Sequence, residues 1–142
     1  MKAYLTRRYR ISASHRLHND EFSAERNRET YGKCNNPHGH GHNYGIEVTV
    51  SGEVNRQTGM VCNLGDLDEC VNREIVERFD HENLNDTPEF AGIVPTTENL
   101  AEVVFNILKR SFTAAHLEKV RIEETANNSF EYAGGADALR TR

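Results

Sequence analysis

The stretch "YGKCNNPHGHGHNYGIEVTV", Tyr31 to Val50, holds one cysteine and three histidines within nine residues and then runs into a strongly β-forming segment. His40 and His42 are two residues apart and in phase with Ile46, Val48 and Val50, so an extended backbone from His40 onward sends both imidazoles to the side that those apolar residues occupy. His15 stands in the same relation to Ile11 and Ala13 further upstream. If the two segments are antiparallel neighbours, three rings meet. Three imidazoles at about 2.0 to 2.1 Å from an ion, with a fourth position open, describe a catalytic zinc site. Gly39 and Gly41 suit such a site by letting the backbone approach closely. His38 is the weaker candidate, because the strand phase does not securely reach it. The competing expectation is a solvated Gly-His loop with His15 as a satisfied core residue.

Cys34 lies six residues before His40 and next to Lys33, whose charge would favour thiolate. It can be a base or nucleophile, a fourth zinc ligand, or an inert buried thiol. Cys62 and Cys70 have apolar or helical neighbours and read as packing residues. Asp80 and His81 close a helix; such a pair can orient an imidazole for proton transfer, although a plain polar helix end is the default. Glu124 shares its parity with Val120 and Ile122, which puts a carboxylate on the apolar side of a strand. It needs a partner there: a ligand edge with adjacent N–H groups, as in a pterin or guanine, or an arginine. Thr96, Thr97 and Glu98 begin another helix, where hydroxyls cap, carboxylates meet the positive dipole end, and free N–H groups can bind polar ligand atoms.

The elements that must position these residues follow from periodicity. Residues 3–15 alternate as a strand, and residues 17–36 form a long loop with a short helical turn at "SAERN". "NYGIEVTVSGEV" is the second strand, followed by the turn "NRQTGM", with Met60 to Leu64 completing a hairpin arm. Leu67, Val71, Ile75 and Phe79 then form a helix stripe, capped by Asn63 or Asp66 and ending near "DHENLND". "PTTENLAEVVFNILKR" is a second helix, and "LEKVRIEE" and "SFEYA" are the last two strands. The expected fold is α+β: a four-stranded antiparallel sheet with two helices on one face, in the order β-β-α-α-β-β. Two helices leave the other sheet face and the edges uncovered, so association between subunits is expected.

At 142 residues the chain is read as a single domain spanning 1–142. Its net charge of -5, from 22 acidic and 17 basic residues, argues against nucleic-acid or anionic-membrane partners. Arg7, Arg8, Arg10, Arg16, Arg26, Arg28 and Lys33 nevertheless make the first quarter locally positive, enough for a small anion. Three cysteines at irregular spacing, with no apolar leader or membrane-length segment, point to the cytoplasm.

The motifs "ISASHRLH", "YGKCNNPHGHGHNY", "TGMVCNLGDL", "FDHENLN", "PTTENLA" and "VRIEETANN" occur in this order across almost the whole chain. Together they resemble the 6-pyruvoyltetrahydropterin synthase family, which includes the 6-carboxytetrahydropterin synthases of queuosine biosynthesis. The resemblance implies a tunnelling fold, with three subunits joining their sheets into a barrel and two trimers stacking as a homo-hexamer. It implies Zn2+ held by His15, His40 and His42, with Cys34 as catalytic base and Asp80 and His81 supplied from a neighbouring subunit. Glu124 would grip a pterin, with Thr96, Thr97 and Glu98 lining the pocket. The implied substrate is 7,8-dihydroneopterin triphosphate, and the basic first quarter is expected to meet its triphosphate. The spacing "CNNPHGH" is similar to the pyruvoyl branch; the carboxy branch commonly has a shorter one, and a folate-linked branch carries glutamate in place of the cysteine. His38 stands where asparagine is more familiar.

Overall fold

The computed structural model describes residues 1–135. Two long strands, β1 (Lys2–His15) and β2 (His40–Glu53), are paired antiparallel over their whole length, and β3 (His116–Thr125) and β4 (Asn128–Tyr132) complete a sheet of order β1-β2-β3-β4. The odd residues of β1 and the even residues of β2 and β3 face the helices. Ile11, Tyr44, Ile46, Val48, Val50, Val120 and Ile122 are accordingly buried.

The expected two-helix pattern needs one addition. Residues 17–36 carry not one helical turn but an eight-residue helix, α1 (Ala24–Tyr31), capped by Ser23 and continued by a 3-10 turn, Gly32–Asn35. Asn27 holds this segment together: its buried side-chain amide donates to the carbonyls of Asn19, Phe22 and Ser23, and its oxygen accepts from the Asn19 N–H. The proposed arm at Met60 to Leu64 is not a strand. Residues 61–62 bend instead, and Asn63 caps α2 (Leu64–Val71) by accepting from the Asp66 N–H.

After α2 the chain makes a π turn, Asn72–Val76, and a last helical turn, α3 (Glu77–Phe79). The reason is visible in the stripe. Leu67, Val71, Ile75 and Phe79 are all fully buried, yet they are spaced by four, and in an α-helix each such step overshoots by about 40°. A wider turn offsets the drift and keeps all four on the core. The long helix α4 (Thr97–Ser111) buries Leu100, Ala101, Val104, Phe105, Ile107 and Leu108 against β3 and β4.

The opposite sheet face is polar rather than apolar. Glu47 lies between Arg8 and Arg121, Thr6 bonds Thr49, Ser12 bonds Asn43, and Lys119 meets Glu131. That face needs no apolar cover, so any demand for association comes from the strand edges. Among the described residues, no helix is long and apolar enough to cross a membrane.

Candidate metal and pterin site

The β1–β2 register pairs His15 with His40 and Ala13 with His42, which gathers the three rings at one end of the sheet. Their centroids lie 5.1 Å (His15–His40), 5.0 Å (His15–His42) and 4.7 Å (His40–His42) apart. Gly39 makes this junction possible. It has φ +69°, and a Cβ there would come within 2.7 Å of the His15 carbonyl oxygen. Gly41 is less demanding, since its Cβ would meet the Ala13 oxygen at 3.7 Å. His38 has an exposed side chain, and its N–H is bonded to Asn36 Oδ1.

The ring nitrogens are set up to bind a cation. His15 is almost wholly buried, and its Nδ1 donates to the Pro95 carbonyl at 2.9 Å, which leaves Nε2 a bare lone pair 3.1 Å from His40 Nε2. His42 Nε2 is buried without any hydrogen-bond partner. Burial holds His15 and His42 below the ordinary imidazole pKa; at His15 the Pro95 hydrogen bond works the other way. An unsatisfied buried nitrogen beside two more imidazoles fits a metal ion better than a dry core.

Two trios of donor atoms close to within 4.8 Å: His15, Cys34 and His40, and His15, His42 and Glu124. Cys34 is placed by the 3-10 turn after α1, and its carbonyl accepts from the Leu17 N–H at 2.8 Å. The neighbouring Lys33 does not activate it as the sequence suggested. Lys33 is exposed, whereas burial, and then the Glu124 carboxylate, push the Cys34 thiol above its ordinary pKa. A nearby divalent cation would oppose that effect.

Glu124 has no arginine partner among the described residues. It accepts from the Thr97 hydroxyl, and Asn128 Nδ2 lies 3.4 Å from its other oxygen. Thr97 is buried, while Thr96 is spent as the α4 cap, accepting from the Asn99 N–H, and Glu98 is exposed in the first turn. Sequence reasoning missed Tyr44. It is buried in phase with His40, His42 and Ile46, its hydroxyl lies 3.3 Å from His15 Nδ1, and that same parity was the available signal. Burial, and then Glu124, hold its phenol far above the usual range.

Asp80 and His81 take a different position. Asp80 Oδ1 accepts from the Ser12 N–H at 2.8 Å and lies 3.3 Å from His81 Nδ1, while the His81 N–H donates to the Ser12 carbonyl. The pair is thereby fastened to the outer edge of β1. The His81 side chain is 76% exposed and borders a surface concavity that Ser12, Gly41 and His42 also line. Its φ of +63° is the only positive value among the described non-glycine residues.

The sequence model described as 6-pyruvoyl tetrahydropterin synthase matches residues 4–135. A 6-pyruvoyl tetrahydrobiopterin synthase from Poecilia reticulata is 48% identical over 132 residues, covering 92% of this chain and 90% of the relative. The chain belongs to the 6-pyruvoyl tetrahydropterin synthase family. With that membership comes lyase-type enzymatic function. The Caenorhabditis elegans 6-pyruvoyl tetrahydropterin synthase structure superimposes with a TM-score of 0.90 at 41% identity, covering 95% of this chain and 97% of that one. A putative 6-carboxy-5,6,7,8-tetrahydropterin synthase from Archaeoglobus fulgidus is 37% identical over 103 residues, 72% of this chain and 81% of the relative. The sheet and its helices therefore match the tunnelling-fold superfamily expected from the motifs.

Proposed function

We propose that this protein converts 7,8-dihydroneopterin triphosphate into 6-pyruvoyltetrahydropterin, eliminating inorganic triphosphate. The observation that carries this reading is the convergence of His15, His40 and His42 with Cys34 on one side and the Thr97–Glu124 pair on the other. In it, the three imidazoles hold Zn2+, and bound zinc supplies a Lewis acid that lowers the pKa of side-chain hydroxyls. Cys34 stands beside the ligands and removes a side-chain proton. Glu124, oriented by Thr97, accepts hydrogen bonds from the pterin ring and fixes the reacting carbons near the thiol. Thr96 and Glu98 line the same pocket from the start of α4.

Asp80 and His81 belong to this scheme as a proton-transfer pair donated to a neighbouring subunit. Their place on an exposed strand edge supports that assignment. It goes with a homo-hexamer in which three sheets join edge to edge and two trimers stack. The product test is direct: incubate zinc-loaded protein with dihydroneopterin triphosphate and identify the pterin by mass. A pyruvoyl product with free triphosphate is expected.

The Archaeoglobus fulgidus relative favours a second reading, formation of 6-carboxytetrahydropterin. It predicts a carboxy pterin and acetaldehyde from the same incubation. Unchanged substrate would overturn both and leave a pterin-binding protein with a structural metal, whose fold should collapse on chelation.

A further inference from the structure

The sheet does not by itself fix where Glu124 points. The residue falls at a register irregularity between Glu123 and Thr125, where the β3–β4 ladder breaks step. Its carboxylate is oriented instead by the Thr97 hydroxyl, which donates to Oε2 from the first turn of α4. A hydroxyl hydrogen rotates to suit its surroundings, so Thr97 holds Glu124 only as firmly as something holds Thr97.

Tyr44 supplies that hold. It is wholly buried, so its hydroxyl proton needs an acceptor inside the protein. His15 Nδ1, 3.3 Å away, cannot be that acceptor. The Pro95 carbonyl, 2.9 Å from the same nitrogen, only accepts, so Nδ1 carries a hydrogen and shares it between Pro95 and the Tyr44 oxygen. The Tyr44 proton is left for a second hydrogen-bonding contact, the side chain of Thr97. Thr97 in turn gives its own proton to a carboxylate, which accepts only. Each of these groups has a single proton to give. The bonds therefore run in one direction, from His15 through Tyr44 and Thr97 to Glu124.

We propose that Tyr44 is a positioning residue, joining His15 at the metal end of the site to Glu124 at the pterin end through Thr97. The inference rests on the proposed function for its pterin, while the hydrogen-bond series itself can be tested without any ligand. The phenol oxygen accepts from the ring that presents Nε2 to the metal, and the phenol proton sets the Thr97 hydroxyl toward Glu124. The two ends do not depend on it equally. His15 keeps the shorter bond to Pro95 when the phenol oxygen is removed, whereas Thr97 loses the donor that fixes its rotor. Loss of the Tyr44 hydroxyl therefore falls on the pterin end.

A double-variant cycle on the zinc-loaded protein tests this, read by calorimetric titration with 6-methyl-7,8-dihydropterin and by thermal unfolding. That ligand keeps the ring edge from which Glu124 accepts and has no side-chain hydroxyl to reach the metal. Tyr44→Phe, which retains the buried ring, should weaken its binding about fivefold, Thr97→Val about tenfold, and the double variant no more than Thr97→Val alone. Zinc affinity in chelator competition should change by less than about twofold in Tyr44→Phe, because Pro95 still orients His15. The stability changes should differ in sign. Tyr44→Phe should lower the unfolding midpoint of the wild type and raise that of Thr97→Val, where the buried phenol proton has lost its acceptor. Equal losses in both backgrounds, in either readout, would overturn the proposal, as would a Tyr44→Phe protein that binds the pterin as tightly as the wild type. A wild type that binds no pterin would remove the proposed function, and the sign of the stability change would still decide the role of Tyr44.

Discussion

His81 shows at single-residue scale what a functional side chain can cost. It follows the cap of α3 with φ +63°, a position where helices commonly place glycine. A β-carbon there is unfavourable, and local strain of this kind gathers at active sites. His81→Gly should therefore raise unfolding stability by about 1 kcal/mol in urea titrations while turnover falls by roughly 100-fold or more. If activity survived the exchange, His81 would be reduced to a helix end. Cys34 was legible as a reactive candidate from its place in "KCNNPHGH", but its electrostatics were not. Adjacent Lys33 points outward, and distant-in-sequence Glu124 is the charge that reaches the sulfur. Because a negative neighbour disfavours thiolate, Glu124→Gln should lower the Cys34 pKa. Alkylation of the metal-free protein by iodoacetamide should then set in at lower pH than in the wild type; an unmoved profile would leave burial as the sole cause.

At the scale of elements, strand phase carried most of the site. His15, His40, His42 and Glu124 were all assigned to the helix-facing side from alternation; the unbroken β1–β2 register holds the three histidines there, while Glu124 lies at an irregularity of the β3–β4 pairing and meets Thr97 of α4. The length of helix α1, of which only a turn at "SAERN" was expected, escaped detection for an equally physical reason. The helix is polar nearly all round and buries only Asn27, so it has no apolar stripe to read; its order comes from amide hydrogen bonds that propensity does not reveal. The π turn did leave a trace, in the strict four-residue spacing of Leu67, Val71, Ile75 and Phe79. The turn before β2 offers a sharp contrast between two glycines. Gly39→Ala should push against the His15 carbonyl and weaken zinc binding by about tenfold or more in chelator competition, whereas Gly41→Ala should change it little. Equal effects at both positions would show that the close approach to His15 does not set ligand geometry.

For the whole molecule, the motif order pointed to the family and strand alternation to the sheet, while the reason for association narrows from the open face and edges to the edges. Both the uncovered face and the edges were expected to call for association; the face is laced with Arg8–Glu47–Arg121 and hydroxyl contacts suited to water. Among the described residues, what remains open is the pair of outer strands, β1 and β4, of which β1 is covered by residues 81–83 only near Ser12 and Ser14. Edges of this length invite pairing with another copy. Light scattering should accordingly return the mass of six chains, and a stable monomer with full activity would contradict donation of Asp80 and His81 across subunits. The central claim nevertheless sits where the three imidazoles meet, because every assigned role depends on which groups take the metal. Replacing zinc with Co2+ and recording the absorption spectrum tests it most directly. The account predicts visible bands of a nitrogen- and oxygen-ligated ion, lost in His42→Ala and unchanged in Cys34→Ala. A strong near-ultraviolet thiolate-to-cobalt band that disappears with Cys34→Ala would make the cysteine a ligand and contradict its assignment as the base.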